Sequence, residues 1–219
     1  MSIAEQPVVR KSVLRDMADR YGMEHDAFER VICATVMPRD ATKEQLAAFL
    51  LVAKEYNLNP LTKEIYAFAT KSGGIQPIVG IDGWINLANS HPMYDGMEFE
   101  DHLDGSGGIS AVTAVVYRKD RRHPTKVTEY LVECRGSSEQ WRRWPARMLR
   151  HKASIQCIRY AFGFAGIMEP DEYERMMEVE KSISVVDQQT PVSRTSVFAA
   201  KYAGIPHTND PVVVDVDSS

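Results

Sequence analysis

Apolar and polar positions change period several times along the chain, and each change predicts an element. Residues 11 to 35 carry Val13, Leu14, Met17 and Tyr21 at helical spacing, which predicts a helix over that stretch. Thr42 with Gln45 three residues later is a capping-box pattern, and Leu46, Phe49, Leu50 and Ala53 then form one apolar face. This second helix should stop at NLNP, because Pro60 disfavours helical geometry in the residue before it. The period then shortens to two. EIYAFAT and IQPIVGI, joined by KSGG, predict a β-hairpin in which Pro77 must take an edge or non-bonded position.

IDGWINLANS predicts a short helix. GMEFEDHL, ISAVTAVVYRK and TKVTEYLVE, separated by DGSGG and DRRHP, predict a three-stranded antiparallel meander. A long helix should follow from Pro145 to the glycines of FGFAG, and a last one over PDEYERMMEVEKS, with Pro170 and acidic residues at its favoured end. The fold class is therefore α+β, a hairpin and a meander packed with helices. Residues 1–183 form the expected globular domain. Residues 184–219, rich in Ser, Thr, Gln, Pro and Val, are expected to be a disordered tail.

Charge alters the picture of the long helix. The chain carries a net −4, but the stretch from Arg118 to Arg159 holds 12 basic and 4 acidic residues. Segregation of this kind points to an anionic partner for one surface, or to a solvated basic loop around RKDRRHPTK. Residues 147–166, RMLRHKASIQCIRYAFGFAG, contain Arg147, Arg150, Lys152 and Arg159 and no acid. At 100° per residue, Arg147 and Arg150 fall within about 60° of each other, and Lys152 nearly superimposes on Arg159. Met148, Ile155 and Phe162 run between these stripes, with Leu149, Ala153 and Tyr160 opposite. A helix apolar nearly all round is largely buried, and buried cations need anionic partners. Carboxylates from other elements or phosphates would serve.

Upstream, EQWRRWPAR interleaves two tryptophans with arginines. Such rings are hydrophobic anchors or, beside cations, stacking surfaces for single-stranded nucleic acid. Of the two, Trp144 is expected to anchor the helix start and Trp141 to lie against nucleotides.

Other chemistry is poorly supported. No GxxxxGK[ST] loop, GxSxG elbow or His-metal motif occurs. Glu98, Glu100 and Asp101 could hold Mg²⁺ and act as a nuclease, the alternative reading, if carboxylates from several elements converged on them. No catalytic residue and no cofactor are expected. Cys33, Cys134 and Cys157 have neither zinc spacing nor a CxxC pair, so free thiols in a reducing cytosol are expected. No run of eighteen apolar residues or secretory leader pattern is seen, so no membrane association is expected.

NPLTKEIYAF, GGIQPIVGIDGWINLANSHPMYDGMEFE, VYRKDRRHP and RMLRHKASIQCIRYAFGFAG, in that order, resemble the Redβ/RecT family of phage single-strand annealing proteins, most closely its Redβ branch. The resemblance spans roughly residues 30 to 175. It implies a non-enzymatic, ATP-independent recombinase, acting in the cytoplasm of a bacterial host. Such a protein coats single-stranded DNA and pairs it with a complementary strand. It implies a β-β-β-α core assembling as a homo-oligomer into rings or helical filaments, with single-stranded and annealed duplex DNA in a basic groove. Arg147, Arg150, Lys152 and Arg159 match the motif that grips the DNA backbone; Lys63 and Lys71 match further groove cations, and Trp141 an aromatic beside the DNA. Ala146 departs from the pattern, since close relatives carry Lys there. A partner exonuclease and the host single-strand-binding protein are further partners of the Redβ branch. They engage a C-terminal helical module that the matching stretch does not carry.

Overall fold

A computed structural model describes residues 12–189, with side chains through residue 179. By internal contacts the chain divides into two units, Met1–Arg175 and Met176–Ser219. The first unit is built from α1 (Val13–Arg20), α2 (His25–Thr35), α3 (Lys43–Glu55), β1 (Ile65–Ala69), β2 (Ile75–Val79), α4 (Ile81–Ser90), β3 (Tyr94–Leu103), β4 (Ile109–Arg118), β5 (Thr125–Tyr130), α5 (Leu131–Cys134), α6 (Glu139–Arg143), α7 (Pro145–Phe162) and the first turns of α8 (Pro170–Gln189). The class is α+β, as the periodicity predicts: β1 and β2 pair as a hairpin, and β3-β4-β5 form an antiparallel meander.

Several boundaries follow their local chemistry. Thr42 and Gln45 close a complete capping box, and α3 buries Leu46, Phe49, Leu50 and Ala53. Pro77 lies opposite Ala67, which sends its N–H away from the hairpin to the Val36 carbonyl at 2.8 Å. The missing proline donor therefore costs the ladder no bond. Its carbonyl accepts from Met168 N–H at 3.4 Å, and Val79 N–H donates to Met168 O at 2.8 Å, so the outer edge of β2 is closed too.

Elsewhere the structure differs. The helix expected over residues 11 to 35 is two helices, broken where Gly22 takes φ +63°. A left-handed residue ends a helix, and glycine adopts that geometry without a Cβ penalty. The last residues of TKVTEYLVE leave the strand and form α5. The five-residue α6 has no counterpart in the sequence reading, and α8 runs to Gln189, past the start of the expected tail at 184. The rest of that tail, 190–219, lies outside the described residues.

The meander lays one face on α7. Val112, Ala114 and Val116 of β4 belong to the core with Leu149, Ala153, Cys157 and Ile158 of α7. Cys157 donates to the Ala114 and Thr125 carbonyls at 3.4 and 3.2 Å, and burial pushes its thiol up to about 11. All three cysteines are free. At the far end of α7, Arg118 bonds the Ala161 carbonyl and lies over Phe162, supplying a cation where the helix dipole is negative. Arg118 is also held bidentately by Asp120 at 2.8 and 2.7 Å. The basic stretch is thus spread along α7, with the Arg118 turn roughly 20 Å from Arg147 at 1.5 Å per residue.

α4 seats directly on the start of β1. A Cβ at Gly83 would lie 2.5 Å from the Glu64 carbonyl and 2.7 Å from Val79. Gly83→Ala should therefore lose stability despite its better helix propensity. Overpacking costs roughly 1–3 kcal/mol, against a propensity gain of at most about 1 kcal/mol. Urea melts of the two proteins measure the balance.

Candidate nucleic-acid interface

The candidate site is built on α7. Its N-terminal half faces β3 and α4 across an open groove of about 350 Å³ lined by Ile81, Ile85, Met97, Phe99, Arg147, Arg150, His151 and Ser154. β3 is an edge strand of the meander, and its residues alternate between faces. Met97, Phe99 and Asp101 pair with Val116, Ala114 and Val112 and so share the face that looks toward α7. The groove therefore has an apolar floor and a cationic lip. His151 adds no charge near neutral pH, because burial, helped by the Arg147 guanidinium, holds its pKa below the ordinary histidine value.

Three of the four α7 cations find carboxylates within the chain. Arg150, on the exposed lip, bonds Asp101 through Nε at 3.1 Å and again through Nη2. Lys152, 5% exposed, bonds Glu169, itself 3% exposed. Arg159 forms a fork on Glu172 at 2.9 and 3.0 Å, lies with its guanidinium 5.0 Å from the Trp84 ring, and donates to Ile167 O at 3.3 Å. Burial pushes the Glu172 carboxyl up. The Arg159 fork, the Glu169 N–H at 3.2 Å and Gln156 at 3.0 Å outweigh it and hold that carboxyl below its usual range. Arg147 differs. It lies over the Trp144 ring at 5.3 Å, and among the described residues it has no carboxylate partner.

The demand for counter-charges, open between carboxylates and phosphates in the sequence, is thus met internally at Arg150, Lys152 and Arg159. Sequence reasoning missed the acids that do it. Glu172 lies in the acidic first turn of α8, read there only as a dipole partner, and Glu169 sits just before that helix, three residues past the acid-free stretch. Asp101 lies 49 residues before its arginine, and nothing local signals it.

The two tryptophans are exchanged relative to expectation. Trp141 is 1% exposed and donates Nε1–H to Asp171 at 3.1 Å, whereas Trp144 is 46% exposed. The cause is α6, which turns residue 141 inward. Trp144 is left at the N-cap of α7, where the chain enters the helix through Pro145. Lys63 and Lys71 fall elsewhere. Lys63, in a left-handed backbone conformation at φ +62°, lines a separate groove of about 470 Å³ with Arg39, Tyr66 and Phe68. Lys71 is exposed in the hairpin turn.

The carboxylates of the nuclease reading do not converge. Glu98 shares a face with Val115 and accepts from Tyr117 OH at 3.1 Å, Glu100 pairs with Thr113, and Asp101 points to the opposite face and to Arg150. Among the described residues, the three-ligand cluster that could hold a metal is His25, Asp26 and Glu29 on α2, away from this strand. No described helix is long and apolar enough to cross a membrane.

A family model, that of the RecT family, matches residues 29–185. The chain is also 45% identical over 175 residues to recombination protein bet of Escherichia phage lambda, across 74% of this chain and 65% of that protein. It therefore spans just under two thirds of the lambda protein's length. The family match takes in the hairpin, the meander and α7 together, the elements that build the groove and its cationic lip, and on that extent the chain belongs to the RecT family.

Proposed function

We propose that this protein binds single-stranded DNA and anneals it to a complementary strand, without ATP and without hydrolysis, as a phage recombination protein working as a homo-oligomer. Its family membership and its likeness to a recombination protein support this reading. The structural observation that carries it is Arg147, a cation at the lip of an apolar-floored groove with no internal counter-charge among the described residues. Residues 1–183 are the annealing and oligomerisation domain in this proposal, with 184–219 as an appended tail. A partner exonuclease and a host single-strand-binding protein are compatible partners that the reading does not require.

Annealing needs one strand held extended with its Watson–Crick edges exposed. Cations on the phosphates do this without reading sequence, and repetition of the site along an oligomer makes occupancy cooperative. Arg147 and Arg150 are the proposed direct phosphate contacts on α7, with Lys63 and Lys71 as further cations along the strand. Lys152, Arg159 and Trp141 belong to the site as its internal frame: their partners Glu169, Glu172 and Asp171, at and just before the start of α8, fix how α7 presents the lip.

Complementary labelled strands, mixed with the protein in Mg²⁺, should form duplex faster than they do alone and remain full length. Strand scission would reject the reading. Arg147→Ala should weaken binding about equally for unrelated sequences and flatten the log–log salt slope by roughly 0.7. Its melting point should barely move, since an exposed cation–π contact is worth about 0.5–1 kcal/mol.

A further inference from the structure

We infer that Trp144 is a base-stacking platform at the head of α7, holding a nucleobase of single-stranded DNA while the Arg147 guanidinium over the same ring meets the strand's phosphate. The inference rests on the proposed function and adds a residue that the family resemblance does not mark.

Of the three tryptophans, Trp84 is 0% and Trp141 is 1% exposed, while Trp144 leaves 46% of its surface in water. A ring of this size is worth burying, and the fold buries the other two. Trp144 is not exposed through looseness. Its N–H bonds the Gln140 carbonyl at 2.8 Å at the end of α6, and Pro145, with its φ fixed, starts α7 immediately after. The ring is therefore presented from a junction of two helices, and little backbone freedom is lost when a ligand settles on it.

The charge beside the ring selects the ligand. Arg147 is the α7 cation without a carboxylate among the described residues, and it belongs both to the Trp144 ring and to the groove floored by Ile81, Ile85, Met97 and Phe99. Phe99 is itself 43% exposed there. An exposed ring, a guanidinium with no carboxylate partner among the described residues and an apolar floor suit a ligand that alternates flat apolar faces with anions. A single nucleic-acid strand has that pattern, and every base has a face to stack. A second copy of this chain is the competing occupant.

Intrinsic fluorescence isolates the ring, because the other two tryptophans are shielded. Adding an oligothymidylate should quench the parent protein, and Trp144→Phe should bind nearly as well with the quench gone. Trp144→Ala should bind that oligonucleotide roughly 5- to 150-fold more weakly. It should bind an abasic strand of the same length as the parent does, because phosphates alone make no use of the ring. Equal losses on both strands, or quenching that survives in Trp144→Phe, overturn the inference. A Trp144→Ala protein whose oligomer size changes without DNA, with its preference for intact over abasic strands kept, overturns it in favour of an interface between copies. A parent protein that binds neither strand overturns the proposed function, and this inference with it.

Discussion

Trp141→Ala should unfold at markedly lower denaturant than the parent protein, at a cost of roughly 3–5 kcal/mol of folding free energy. The ring is 1% exposed, and a Cβ at Gly136 would sit 2.8 Å from its Cδ1, so the neighbouring backbone leaves no slack around it. Removing the indole empties that space and strips Asp171 of the Nε1–H bond at 3.1 Å. Trp141→Phe separates the two effects. It keeps most of the volume and loses only the hydrogen bond to a charged group, worth roughly 1.5–3 kcal/mol. Trp144→Ala is the control, since a surface change of this kind usually stays within about 0.5 kcal/mol. Urea melts on the three variants give the order directly. A Trp141→Ala protein that melts like the parent but binds DNA poorly would return this ring to the DNA surface.

That exchange of the two tryptophans shows where sequence reasoning runs out. The capping box at Thr42 and Gln45 is a contact between residues three apart, and it is present as the pattern predicts. The hairpin, the meander and the start of α7 at Pro145 were legible for the same reason: each depends on local period, turn chemistry or a proline. The burial of most of α7 was legible as well, because its residues are apolar nearly all round, although Tyr160 is 71% exposed. What the pattern could not supply was the partner of each buried group. Lys152 is satisfied by Glu169 just before α8, Arg159 from α8, Arg150 from β3, and Trp141 from Asp171, 30 residues on. These pairings exist only once the fold has brought the elements together. The break at Gly22 was missed for another reason, since a single glycine inside a helical pattern is often tolerated.

The most consequential pairing is Lys152 with Glu169, since both are nearly excluded from water, at 5% and 3% exposure. Breaking such a pair from one side strands a charge, so Lys152→Ala should cost roughly 3–5 kcal/mol near pH 8. The cost should depend on pH in a definite direction. Burial pushes the Glu169 carboxyl up to about 7, with Lys152 pulling it down and Glu172 and Asp171 adding to the rise. A carboxyl whose folded value lies above its ordinary 4.5 contributes stability that is fully present below about 4.5 and lost as the pH rises through about 7. Taking Lys152 away removes the influence that favours the charged form, so the loss in the variant extends to higher pH. At pH 5 the carboxyl is already neutral in the folded state, and the same substitution should cost much less. Lys152→Met combined with Glu169→Leu should recover most of the stability at pH 8, because a packed apolar pair replaces two desolvated ions. The double variant also decides what Lys152 does for DNA. If the lysine only frames α7, the restored protein should bind single strands like the parent, with an unchanged salt slope. A slope lower by roughly 0.7 in a protein that melts normally would show that the ammonium leaves Glu169 and takes a phosphate.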